Sequence, residues 1–243
     1  MFARMGDDKK IAPRGAGPIE KSDGSAVEAF IRQARAIMPS GAGAAGRLIL
    51  ALDATMSRQP TWDLACTLQS EMFDAAAGLN VQLVYFRGMD ECRASPFVAN
   101  TRALKDLMSR IDCRGGHTQI TKVLKHAQRE NARGKVNALV FIGDAMEEEA
   151  DIVTGLAGKL GVLGIPVFIF QEGRNAVAEA AFKEIARLSK GAWFRFDQSA
   201  AATLAKLLSA VAVFAAGGVT ALETRGRPED IVMIEHLRGG SKP

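Results

Sequence analysis

The sequence is short of the residues that staple a small fold together. Its 243 residues include three cysteines, Cys66, Cys92 and Cys113, an odd total with no C-x-x-C pair. That pattern excludes a disulfide framework and a cysteine-built zinc site, and it suits a reducing compartment. Aromatic residues amount to 6% and do not interleave with the basic ones, so no nucleic-acid-binding module is indicated. A bilayer span needs about 20 consecutive apolar residues. The longest such run, Leu207 to Leu222, falls short and carries Ser209, Gly217, Gly218 and Thr220. The opening stretch MFARMGDDKKIAPRG is charged and lacks the apolar centre of a secretory signal. Phosphate-cradling loops are missing too: there is no G-x-x-x-x-G-K-[ST], and GAGAAG precedes the first apolar run rather than following it. The expectation is a soluble, cytoplasmic chain with no membrane or nucleic-acid partner.

Net charge is a mild +4, unevenly spread. Residues 87–135 hold 11 basic and 5 acidic residues, a local excess that would favour an acidic partner if it surrounds a site.

Residues 1–24 are polar and dotted with Gly and Pro, which predicts a disordered tail. In 25–46, Val27, Phe30, Ile31, Ala34 and Ile37 predict a short amphipathic helix. Pro39 and a Gly/Ala linker follow it. The compact domain spans 47–216. Arg47 to Leu52, Val81 to Phe86, Val136 to Ile142 and Ile165 to Phe170 are nearly unbroken apolar runs, as strands buried on both faces require. Glu91 to Ser95, closed by Pro96, reads as an antiparallel edge strand, and Ala192 to Phe196 as a sixth strand. Ile120, Val123, Leu124 and Ala127 keep helical spacing, as do Leu204, Leu207, Leu208 and Val211. Ile152, Val153, Leu156 and Leu160 nearly do. Strands alternating with helices predict an α/β fold: a doubly wound, mostly parallel six-stranded sheet with helices on both faces. Residues 217–243 form a C-terminal appendage, with Pro228-Glu229-Asp230 opening a short helix.

In such sheets ligands sit outside the carboxyl ends of the strands, where the strand order reverses. Three oxygen-rich clusters fall there. The first strand runs into Asp53-Ala54-Thr55-Met56-Ser57, the fourth into Gly143-Asp144, and the loop Arg114-Gly115-Gly116-His117-Thr118 leads into a helix. Two carboxylates and three hydroxyls are hard ligands, suited to Mg²⁺ or Mn²⁺. In a tight loop residues 53, 55 and 57 turn inward together. Met56 and Arg58 then point outward, toward a partner. The glycines at 115 and 116 let the second loop approach closely. Asp53 and Asp144 taken singly also fit ordinary helix N-caps. His117 reads as a group beside the site or against a partner's carboxylate, and Glu147, Glu148 and Glu149 as complements to the positive end of the helix that follows them.

The sequences DATMS, GGHT and FIGDA, in this order, resemble the metal-ion-dependent adhesion site (MIDAS) of von Willebrand factor A domains. The resemblance covers roughly 47–216. It implies that Thr55, Ser57 and Thr118 ligate a cation through hydroxyl oxygens and that Asp53 and Asp144 act largely through bound water. A partner protein's carboxylate would take the remaining position. The chain departs from the family pattern in Thr55, where Ser is usual, and in the Gly143 and Ala145 flanks of Asp144. The implied function is non-enzymatic, divalent-metal-dependent protein binding, in cytoplasmic bacterial members often alongside AAA+ ATPases. The alternative is a metal-dependent phosphohydrolase of the haloacid dehalogenase type. That chemistry wants D-x-D-x-T, with the second Asp as general acid, and position 55 is Thr.

Overall fold

The computed structural model describes residues 46–58, 79–99, 106, 108–196 and 201–238. The tail and helix read within residues 1–45, together with Trp62 and Cys66, lie outside them.

Six strands form one sheet: β1 (Arg47–Asp53), β2 (Asn80–Arg87), β3 (Glu91–Ala94), β4 (Ala138–Gly143), β5 (Val167–Glu172) and β6 (Ala192–Phe196). Their order is β3-β2-β1-β4-β5-β6, and only β3 runs antiparallel. This is the doubly wound α/β sheet expected from the apolar runs. Two runs begin later than their hydrophobicity implies. β4 starts at Ala138, and β5 starts after Pro166, which has no N–H to give a ladder.

Each central strand feeds two cores, because alternate side chains leave opposite faces of the sheet. Leu48, Leu50 and Leu52 of β1 join one cluster, and Ile49 and Ala51 the other. Against the second face pack α1 (Ile120–Arg133), α2 (Ala150–Val162) and α3 (Ala176–Ser189). Against the first pack α4 (Ala201–Arg225) and α5 (Pro228–Leu237). The helix α3 is not among those named from the sequence. It buries Ala178, Ala181, Phe182 and Ile185 at helical spacing, but alanine at two of the four positions weakens the signal.

The helix α4 is long and apolar enough to cross a membrane by length and composition alone. Here it serves as a core helix: Leu204, Leu208 and Val211 are buried against the sheet, and Gly218 (φ 69°, ψ −161°) breaks its path. The residue 216/217 boundary read from sequence falls at this kink. Beyond it, Leu222 and Met233 are fully buried in the same core. An ion pair between half-buried Arg225 and fully buried Asp230 holds the two helices together. Arg225 Nε donates to Asp230 Oδ2 (2.8 Å), its Nη2 donates to Asp230 Oδ1, and its Nη1 donates to Ser209 Oγ (2.6 Å).

Candidate metal centre

The strand order reverses between β1 and β4, which are parallel neighbours. In their register Leu52 lies opposite Ile142, so Asp53 and Gly143 end the two strands side by side. A Cβ on Gly143 would lie 3.4 Å from Asp53 Cβ and within 2.9 Å of the Phe141 ring. Glycine at 143 thus brings the Asp144 loop down beside Asp53.

The loop after β1 tightens on itself. Asp53 is buried, and its Oδ1 accepts from Thr55 N at 2.8 Å, which curls the chain into the single 3₁₀ turn Met56–Arg58. Thr55 Oγ1 then lies 3.1 Å from Ser57 Oγ. Two ligands on adjacent corners of an octahedron with bonds of 2.0–2.1 Å are separated by roughly 3 Å, so the two hydroxyls are spaced as neighbours on one small cation.

The Thr118 loop is brought in by backbone contacts. Thr55 and Arg114 form an isolated parallel bridge, with Arg114 N donating to Ala54 O at 3.0 Å. His117 N donates to Gly88 O at 3.2 Å, and a Cβ on Gly116 would lie 2.0 Å from that same oxygen. Of the two glycines read as close-approach residues, Gly116 has that role. Gly115 has open space around its Cβ position.

Thr118 and Glu147 bind each other reciprocally. Glu147 N donates to Thr118 Oγ1 (3.0 Å), and Thr118 N donates to Glu147 Oε2 (3.0 Å). The acidic run after Asp144 therefore serves a different helix from the one it precedes. Glu148 accepts from Ile120 N and, through Oε2, from Thr121 N (3.0 Å), capping α1, whose own N-cap Gln119 makes no side-chain cap bond. Sequence reading assigned these acids to the start of α2, where only Glu149 stands as N-cap. The pairings join residues 27 to 29 positions apart, and no local pattern announces them.

Asp53, Thr55, Ser57, Thr118 and Asp144 thus belong to three mutually bonded segments at the carboxyl end of β1 and β4. Met56 is 57% exposed, and Ser57 beside it is exposed as well, so burial does not alternate along this turn as the sequence implied. The side chain of Arg58 lies outside the described residues. His117 is exposed and its Nδ1 sits 3.2 Å from Glu147 Oε2, so it leans on the loop that holds Thr118. The donor set fits a hard cation. Oδ1 of Asp144 is buried and has no hydrogen-bond partner among the described residues, although a buried carboxylate oxygen ordinarily has one. No group of three His, Cys, Asp or Glu side chains gathers among the described residues.

No family model and no curated protein matches the sequence. Solved structures do. The chain has the von Willebrand factor A fold. An aerotolerance-related membrane protein from Bacteroides fragilis matches with a TM-score of 0.53 and 21% identity, over 66% of this chain and 96% of that one. A von Willebrand factor type A protein from Catenulispora acidiphila gives 0.59 and 16%, over 71% and 43%. Manganese-loaded TRAP from Plasmodium vivax gives 0.52 and 15%, over 68% and 74%. At such identities the likeness establishes the fold, and one of these proteins is loaded with manganese.

Proposed function

We propose that this chain is a protein-binding module dependent on a divalent cation, Mg²⁺ or Mn²⁺, and that it performs no catalysis. The observation that carries the reading is the buried Asp144 Oδ1, which has no hydrogen-bond donor among the described residues, at the switch point beside Asp53. Thr55, Ser57 and Thr118 would hold the ion through their hydroxyls, with Asp53 and Asp144 supplying charge at close range. Bound there, the cation offers a partner's Asp or Glu an electrophilic coordination position, because few protein charges neutralise it. The chain's own residues set the geometry. Asp53 fixes the Thr55 turn, and Glu147 fixes Thr118 by occupying one lone pair of its hydroxyl. Met56 and His117 border the position a partner would reach. An AAA+ ATPase is the partner class that the family resemblance favours. The haloacid dehalogenase alternative lacks its general acid, since Thr55 stands where the second Asp is needed.

Cytoplasmic placement belongs to the same proposal. The burial of α4 against the sheet supports it, and recovery of the chain in the membrane pellet on cell fractionation would overturn it.

Titration with Mn²⁺, followed by electron paramagnetic resonance, tests the site. Wild type should bind one ion, and Asp144→Ala and Thr118→Ala should each weaken it by roughly tenfold or more. Equal affinity in all three proteins excludes the site. A pulldown with and without Mg²⁺ tests the module, with Asp53→Ala as control.

A further inference from the structure

The net charge of the whole chain resides on one helix and the turn after it. Residues 120–135, α1 and the turn after it, hold five basic residues and one acidic residue. The remaining 26 basic and 26 acidic residues cancel. The single acid, Glu130, is buried and bonded to Arg47 and Arg133. Lys122, Lys125, Arg129 and Arg133 recur at three- and four-residue spacing, so they share one face of the helix. They run over about 16 Å at 1.5 Å per residue. The opposite face is buried through Ile120, Val123, Leu124, Ala127 and the ring of His126.

Helix stability does not account for this stripe. Cations near a helix C-terminus oppose its negative end, and Arg129 and Arg133 are well placed for that. Lys122 and Lys125 lie in the first half, where a positive charge is unfavourable. Lys122 is engaged by Asp90 and by Gln119 Oε1. Lys125, Arg129 and Lys135 are exposed and form no salt bridge among the described residues. The stripe begins where the helix meets Thr118, and exposed Arg114 adds a cation in the loop that pairs with Thr55.

We infer that the exposed face of α1 is a docking surface for an acidic polypeptide segment, continuous with the metal centre. This inference rests on the metal-dependent reading. One carboxylate of the segment takes the cation's open position, and the acids that follow it lie along Lys125, Arg129 and Arg133. Charge complementarity selects the partner's composition, and the metal fixes its register.

The test is fluorescence anisotropy of a labelled poly-glutamate peptide with the full chain in Mg²⁺, over a range of NaCl concentrations. Lys125→Glu/Arg129→Glu should weaken binding roughly tenfold and flatten its salt dependence. Both side chains are exposed, and an unchanged thermal melt verifies the fold. Failure of the wild-type chain to bind, or equal binding by the double variant, overturns the inference. Tighter, stripe-dependent binding of single-stranded DNA, or of vesicles with equal parts phosphatidylcholine and phosphatidylserine, also overturns it. The Asp53→Ala variant and EDTA separate the two readings. If neither alters binding while the double variant weakens it, the stripe stands and the metal reading falls.

Discussion

At the scale of single residues, the candidate site depends on one close backbone approach. The loop carrying Thr118 passes so near Gly88 O that Gly116 has no room for a side chain. Alanine there must push the two loops apart at a cost of roughly 1–3 kcal/mol. Gly116→Ala is therefore expected to lower both the melting temperature and Mn²⁺ affinity, whereas Gly115→Ala, in open space, should spare the affinity. Equal titrations for the two variants would refute this assignment. Cys92 illustrates the opposite case, a reactive residue type made inert by its position. Burial in β3 pushes its thiol up to about 12, against the pull of Lys122 and Arg129. Native protein at pH 8 should leave Cys92 unlabelled by thiol reagents. Labelling should appear only as the chain unfolds, with its site read by peptide mass spectrometry.

At the scale of elements, the central strands were legible because a parallel strand buried on both faces needs an unbroken apolar run, and RLILAL or VQLVYF can do little else. The edge strand announced itself through its polar face and Pro96. Asp53, Thr55 and Ser57 were legible for a related reason: polar residues directly after such a run must lie at a strand end. The supports of the site were hidden. Glu148 caps α1 across 28 positions and Glu147 grips Thr118 across 29, contacts that exist only once the loop after β4 comes back to the start of α1. The tie between α4 and α5 is local by contrast, joining residues five positions apart. Asp230 is fully buried, and its carboxyl is held below the usual range, where Arg225 and the Arg227 backbone N–H outweigh desolvation, the largest single influence. Asp230→Ala would leave the half-buried Arg225 with only Ser209 and the more distant Glu229, a loss of about 1–3 kcal/mol. Chemical denaturation should report that loss. A change within error of zero would mean that the pair contributes nothing net.

At the scale of the whole molecule, a buried histidine links stability to pH. Gln82 Nε2 donates to Ser95 O, so its Oε1 is left to accept from His126 Nε2, 2.8 Å away. That bond places a proton on Nε2. Desolvation lowers its pKa to about 4, with Arg129 and Arg133 adding to the shift and Glu130 opposing it. An unfolded histidine titrates near 6.5. Between these values the unfolded chain binds the extra proton, so stability is complete above 6.5 and declines as pH falls toward 4. The decline amounts to at most about 3 kcal/mol. Denaturation midpoints across this range should fall for wild type and stay flatter for His126→Gln; parallel curves would sink the assignment. Asp230 and Glu91, whose carboxyls lie below their ordinary values, lose their contributions at still lower pH.

The kink at Gly218 has a practical consequence for anyone trimming this chain to its sheet. A fragment ended at residue 216, where the sequence invites the cut, would discard Leu222 and Met233 and uncover the Phe194 ring that now lies 4.9 Å from His236. The exposed leucine and phenylalanine surface would favour self-association. A soluble fragment should extend through Leu237, so that the second helix can close over the seam left by the first.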